Sequence, residues 1–90
     1  MAEPVTVRHK RLAYRSRYRG FLESDLILGR FAKQHLDDFD TRQLDAFESL
    51  LDESDHDIYA WVTDRAPVPA KHDTDVFRMI KDFRVADAPN

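Results

Sequence analysis

Apolar residues recur every three or four positions along most of the chain, which is the spacing of helices that bury one face. The segment 22–35 shows it most clearly, with apolar residues at Leu26, Ile27, Phe31 and Ala32. We find no convincing alternation of apolar and polar residues of the kind that predicts a strand. The pattern therefore predicts an all-α chain whose second helix is its apolar centre.

A basic helix is predicted before this central one. It runs from Arg8 to Tyr18, with Leu12 and Ala13 on its inner face. Gly20 interrupts or ends it, because glycine is common just beyond a helix. A short junction around Gly20 therefore joins the first two helices.

Three further helices are predicted from their first residues as well as from their apolar stripes. Asp40 and Gln43 resemble a capping box at the start of the third helix. Ser54 is the expected cap of a short fourth helix, and Asp73 or Thr74 caps the fifth. These signals predict a compact five-helix bundle.

The bundle is predicted to be a single small domain over residues 8–85, between flexible termini at 1–7 and 86–90. A chain of 90 residues can bury one modest core but not a deep cavity as well. The predicted core consists of Leu26, Ile27, Phe31, Leu44, Phe47, Leu51, Ile58, Trp61, Val62, Phe77 and Ile80.

The composition excludes several classes of site. With no cysteine, the chain has no disulfide, thiolate zinc site, iron–sulfur cluster or cysteine nucleophile. Its four histidines lie far apart, and the motifs of nucleophilic and phosphate-binding enzymes are missing. No apolar run approaches the roughly 18 residues of a membrane-spanning helix. We expect no catalytic residue, no metal site and no membrane insertion.

The charge is unevenly distributed along the chain. Residues 1–35 hold eight Lys/Arg and three Asp/Glu, whereas residues 36–90 hold six and fourteen. Such a molecule suits docking onto a partner with complementary charge, because surface potentials steer and orient an encounter. Two interpretations of the basic first helix remain open. It is an ordinary solvated face, or it binds an acidic protein or RNA. If it binds an acidic protein or RNA, the chain is a small regulatory adaptor.

The junction between the first two helices combines a cation, a glycine and carboxylates. Arg19 and Glu23 are four residues apart, so they could form an ordinary helical ion pair beside a helix stop at Gly20. Alternatively, Gly20 lets a partner backbone approach while Arg19 makes paired hydrogen bonds to it. The chemistry of these residues leaves both interpretations open.

Three motifs follow one another along the chain. They are the R-G-x-x-E pattern of Arg19, Gly20 and Glu23, the run DLILGRF that begins at Asp25, and the run DHDIYAWV that begins at Asp55. Together they resemble the SdhE/YgfY family of small FAD assembly factors for succinate dehydrogenase. The resemblance covers about residues 12–84, and it departs from the family mildly at His56 and Ala60.

This resemblance implies a non-catalytic helper that promotes covalent attachment of FAD to the flavoprotein subunit of succinate dehydrogenase, and in some bacteria of fumarate reductase. The histidine that bonds to the flavin belongs to this client protein, so the helper itself need not bind FAD. The implied partner-binding residues are Arg17, Arg19, Gly20, Glu23 and Asp25.

Members of the same family are also labelled antitoxin components, so an antitoxin-like protein is the alternative that the resemblance implies. Further expectations concern the surroundings of the contact patch, the oligomeric state and the compartment. Phe21 and Leu22 are expected to be half-buried supports of the contact patch, and Tyr59 and Trp61 to belong to the core. The protein is expected to be a monomer that binds no nucleic acid. It would work in the cytoplasm of a bacterium, or in the mitochondrial matrix of a eukaryote.

Overall fold

The computed structural model describes residues 3–17 and 22–87. Within these residues the chain forms five α-helices and two short 3₁₀ helices, and it contains no strand. The α-helices are α1 (Val5–Arg17), α2 (Leu22–His35), α3 (Thr41–Leu51), α4 (Asp55–Val62) and α5 (Asp75–Asp87). The 3₁₀ helices, Leu36–Asp38 and Ala70–His72, precede α3 and α5. The prediction of an all-α, five-helix bundle is confirmed.

Two helices are longer than the apolar pattern indicates. α1 begins at Val5 instead of Arg8, and the carbonyl of the preceding Pro4 accepts the first hydrogen bond of the helix, from the Arg8 amide at 2.9 Å. α5 continues to Asp87, two residues beyond the predicted end of the bundle. Residues 1–2 and 88–90 of the predicted flexible termini lie outside the described residues.

The predicted helix starts are formed by local hydrogen bonds. Asp40 Oδ1 accepts from the Gln43 amide at 2.8 Å, and Gln43 Oε1 accepts from the Asp40 amide at 3.0 Å, so the capping box is confirmed. Thr74 caps α5, since its hydroxyl accepts from the amide of Phe77 at 3.1 Å. The cap of α5 is therefore Thr74 and not Asp73.

Helix α4 is short and is fixed at both ends. Ser54 accepts a hydrogen bond from the Asp57 amide at 3.2 Å, as its sequence position predicts. At the other end, the Arg65 amide donates to the Ala60 carbonyl at 2.8 Å, and Asp64 has a φ of 61°. This is a Schellman ending in which aspartate takes the left-handed position that glycine usually occupies.

The core is organised around α2, which packs against α1, α4 and α5. The fully buried ring of Phe31 lies 5.9 Å from the rings of Phe39 and Phe47 and 5.7 Å from that of Phe83. These distances are typical of favourable aromatic pairs. One side chain of α2 therefore connects the loop before α3, α3 itself and α5.

Most of the predicted core is buried, but Leu26 is not. Its side chain is 45% exposed, and Ile27 is only partly buried. Because Phe31 lies in the core, Leu28, three residues earlier, shares its face and is fully buried. Leu26 is two residues from Leu28 and so lies about 160° away around the helix. The prediction of a buried Leu26 is therefore wrong.

We expect Phe47→Ala to lower the free energy of unfolding by about 3–5 kcal/mol, because it removes a fully buried ring from the aromatic cluster. Urea denaturation followed by circular dichroism measures this loss. Val85→Ala is the control, since Val85 is 70% exposed and its truncation should change stability by less than about 0.5 kcal/mol. Equal stability of the two variants would contradict the packing described here.

Candidate functional site

The basic side of α1 lies against the acidic side of α3. Arg8 donates to Asp45 at 2.6 Å and to Glu48 at 2.9 Å. Arg11 donates to Glu48 at 2.9 Å and makes two further hydrogen bonds to Glu3. Glu48 therefore bridges two arginines, and these hydrogen bonds, that of Arg11 first, hold its pKa below its usual range.

Arg15 continues this row of contacts. It donates to the Asp52 carboxylate at 2.9 Å and to the Leu51 carbonyl at 3.3 Å. Arg8, Arg11 and Arg15 thus bind the carboxyl-rich surface of α3 within the fold. This row of ion pairs does not favour these three arginines as a docking surface for an acidic protein or RNA, because α3 and the residue after it already supply carboxylate partners.

The junction after α1 is described only in part. Arg19 and Gly20 lie outside the described residues, as does Phe21. Glu23 is exposed in the first turn of α2, and Arg17 is exposed in the last turn of α1. The structure therefore places two of the predicted partner-binding residues on the surface around this junction.

A groove of about 730 Å³ runs between α1 and α2. The residues that line it are Ala13, Arg17, Leu22, Asp25, Leu26, Gly29, Arg30 and Lys33. It brings together the predicted site residues Arg17 and the half-buried Asp25, whereas Glu23 does not line it.

Leu22 is an exposed residue of this groove, with 68% of its side chain accessible. The expectation that it is a half-buried support is therefore wrong. The buried positions nearby are Ser24 and Leu28, which share one face of α2, and Leu22 lies on a different face two residues before Ser24.

Two aromatic residues of α4 were expected to belong to the core. Trp61 is buried there as expected, whereas Tyr59 is only partly buried.

Gly29 determines how closely α1 approaches α2. A Cβ atom at this position would lie 3.0 Å from Cγ of Arg17 and 3.6 Å from its Cα. The approach is close because Gly29 has no side chain, and the buried Ser16 and Ser24 are also small. Sequence reasoning missed this role of Gly29, although the small residues of the two helices were the available signal.

A second polar cluster joins the residue Glu53, just after α3, to the 3₁₀ helix Ala70–His72 that precedes α5. His72 is buried, its Nε2 lies 2.7 Å from Glu53 Oε2, and its ring packs against that of Trp61 at 5.6 Å. Lys71 adds a contact to the same carboxylate at 3.3 Å. The hydrogen bond from His72 lowers the pKa of Glu53. This cluster joins the second 3₁₀ helix to the end of α3.

The described residues contain no group of three or more His, Asp or Glu side chains placed to hold a metal ion. None of the described helices is long and apolar enough to cross a membrane. Of the predicted partner-binding residues that the structure describes, Arg17 and Asp25 line the groove, and Glu23 lies beside them in sequence.

A comparison with known families shows to which family the chain belongs. Residues 10–84 match the family described as the flavinator of succinate dehydrogenase, Sdh5. The chain belongs to this family. The match begins within α1 and ends within α5, so it includes all of α2, α3 and α4 and the groove.

Curated relatives carry names that agree with this family. Succinate dehydrogenase assembly factor 2-B, mitochondrial, of Drosophila ananassae is 44% identical over 82 residues, which are 89% of this chain and 50% of the relative. Succinate dehydrogenase assembly factor 2, mitochondrial, of Meyerozyma guilliermondii is 51% identical over 75 residues, which are 79% of this chain and 56% of the relative. The chain spans about half the length of the curated relatives that it matches.

We expect Glu48→Gln to lower the free energy of unfolding by about 1 kcal/mol at neutral pH, because the variant loses the charge between Arg8 and Arg11. The pKa of Glu48 is lower in the folded state, so its contribution is present above the ordinary pKa and is lost as the pH falls through the lowered one. Urea titrations from pH 7 to pH 2 should show the two proteins converging at acid pH.

Asp82→Asn is the control for this experiment, because Asp82 is exposed on α5 and its carboxylate is not one of those that bind the arginines of α1. A constant difference between Glu48→Gln and the natural protein across the whole pH range would contradict the proposed role of the charge.

Gly29→Val should lower the free energy of unfolding by about 1–3 kcal/mol, because the added side chain must displace Arg17 and separate α1 from α2. Valine has a higher helix propensity than glycine, but the free energy gained in this way is smaller than the cost of overpacking. Gln34→Val, at an exposed position of the same helix, is the control. Thermal melting of both variants tests the expectation, and equal melting temperatures would contradict it.

Proposed function

We propose that this chain is an assembly factor that binds the flavoprotein subunit of succinate dehydrogenase and promotes covalent attachment of FAD to it. The observation that carries the proposal is the family match over residues 10–84, which includes most of the folded bundle. The names of the curated relatives support the same assignment.

The proposed mechanism is positioning of the client. A bundle with a filled aromatic core and a groove at its surface is a rigid platform, and a rigid platform can hold mobile parts of a second protein in a reactive arrangement. Such preorganisation accelerates a reaction without a catalytic group from the helper. The histidine that bonds to the flavin belongs to the client, so we assign no catalytic residue to this chain.

The proposal also assigns FAD to the client. Dinucleotide sites of the Rossmann type use a glycine-rich turn in which bare backbone contacts the pyrophosphate. Of the described residues, Gly29 alone is a glycine, and Arg17 packs over it. These residues do not fit a pyrophosphate site of that type, and we expect the isolated protein not to retain the cofactor.

The proposed contact patch lies around the junction of α1 and α2. Arg17 and Asp25 line the groove there, and Glu23 is exposed beside it. Arg19 and Gly20 complete the patch in the sequence motif and lie outside the described residues. Their assignment to the client interface rests on the R-G-x-x-E pattern and on the family.

The compartment follows from the client. The succinate dehydrogenase assembly factors named above are mitochondrial proteins by name. We place this chain where the flavoprotein subunit receives its cofactor, which is the mitochondrial matrix in a eukaryote and the cytoplasm in a bacterium. We propose fumarate reductase as a second client in some bacteria.

Glu23→Ala should leave the protein folded and reduce flavinylation of the client, because Glu23 is an exposed residue whose loss removes a contact and not a core group. Truncating a central interface residue can cost about 2–4 kcal/mol of binding, or roughly 30- to 1000-fold in affinity. The measurement is covalent flavin fluorescence of the flavoprotein subunit in cells that lack the native factor, with a thermal melt of each purified variant.

Asp57→Ala is the matched control, since Asp57 is also an exposed carboxylate in the first turn of a helix. Gly20→Arg tests the other half of the motif. Normal flavinylation by folded Glu23→Ala and Gly20→Arg proteins would overturn the assignment of the contact patch. If the natural protein neither binds the flavoprotein nor raises its flavinylation, the proposed function is wrong.

A further inference from the structure

Helix α2 is apolar on two faces, although the bundle covers only one of them. Leu28 and Phe31 on its inner face are fully buried. Leu22 and Leu26, one turn apart on its outer face, are 68% and 45% exposed. A surface helix of a small bundle needs one apolar stripe, and these two neighbouring leucines form a short second apolar patch that a partner can cover.

The outer face changes from apolar to cationic along the helix. After Leu22 and Leu26, the same face continues with Arg30 and Lys33, at helical spacings of four and three residues. All four residues line the groove between α1 and α2, and all four are exposed. With a rise of 1.5 Å per residue, this face is about 16 Å long.

The groove carries more positive than negative charge, in a chain whose net charge is −3. Three cationic side chains and one carboxylate line it: Arg17, Arg30, Lys33 and Asp25. The arginines that contact α3, described above, point their guanidinium groups to that helix instead. The groove is therefore electrostatically complementary to a negatively charged segment, and the acidic remainder of the surface would orient such a segment toward it.

We propose that the outer face of α2, formed by Leu22, Leu26, Arg30 and Lys33, binds an acidic amphipathic segment of the client flavoprotein. Apolar side chains of that segment pack on the two leucines, and its carboxylates bind Arg30 and Lys33. The segment is about three helical turns long, to match the 16 Å of the face. This inference rests on the proposed function and extends the client contact from the R-G-x-x-E motif along α2.

A second copy of this chain is a poorer occupant. Stable dimers bury at least about 1,200 Å² of total surface, with an apolar centre. The face offers two leucines between charged groups, which is too small an apolar centre for self-association. A larger protein, which also contacts Glu23 and the motif before it, can use the same face as one part of a wider interface.

The test measures binding of the purified flavoprotein subunit without covalent FAD to the full chain. Arg30→Glu combined with Lys33→Glu should weaken binding at least tenfold and reduce its dependence on salt, because the variant reverses the charges that attract the segment. Leu26→Gln should weaken binding about threefold or more, with a weaker effect on the salt dependence. Melting temperatures should stay close to that of the natural protein, since all three positions are exposed.

Matched controls are available at exposed helical positions outside the groove. Lys10→Glu combined with Arg78→Glu changes the net charge by the same amount, and Val85→Gln replaces an exposed apolar residue on α5. We expect both controls to bind the flavoprotein within about twofold of the natural protein.

The outcomes separate this inference from the proposed function. If the natural protein binds the flavoprotein, Glu23→Ala weakens binding and the groove variants bind normally, the inference is overturned and the proposed function stands. If the natural protein does not bind at all, both are overturned. Sedimentation that shows a dimer of the natural protein, abolished by Leu26→Gln, would assign the face to a second copy and also overturn the inference.

Discussion

The burial of Phe31 fixes the orientation of α2, and the rest of the molecule depends on that orientation. Its ring contacts Phe39, Phe47 and Phe83, so three separate parts of the chain pack on one side chain. Leu28 follows Phe31 into the core because it lies one turn earlier. Leu26 must then face outward, whatever its hydrophobicity. The groove is thus a consequence of the core, since the same rotation that fills the interior places Leu26 at the surface.

Charge pairing between α1 and α3 places a second constraint on the fold. The partners of Arg8 are 37 and 40 residues away in sequence, so the basic and acidic parts of the chain neutralise each other only after the bundle has formed. An arginine-rich helix in a sequence indicates a nucleic-acid or acidic-protein surface, but here it has an internal partner. An exposed ion pair contributes little to the free energy of unfolding. We expect a larger contribution from Glu48, because its carboxylate binds two arginines at once.

The sequence predicted the features that depend on neighbouring residues. The capping box of Asp40 and Gln43 needs only residues three apart, and the apolar spacing was sufficient for all five helices and for most of the core. It could not predict the exposure of Leu26, because the run Leu26 to Leu28 can bury either end. It also could not place Gly29 against Arg17, since that contact depends on how α1 crosses α2. For the candidate site, the family resemblance named Arg17, Glu23 and Asp25, and only the three-dimensional structure shows the groove beside them.

Arg17 illustrates why stability and binding must be measured separately at this site. Its Cγ lies 3.0 Å from the position of a Cβ on Gly29, so the base of the side chain contributes to the packing of α1 on α2. The same residue lines the groove and belongs to the predicted contact patch. Truncation of Arg17 would therefore change the helix contact and the binding surface together. Glu23 and Lys33 are exposed and lie outside this packing contact, and their substitution reports on binding far more directly than that of Arg17.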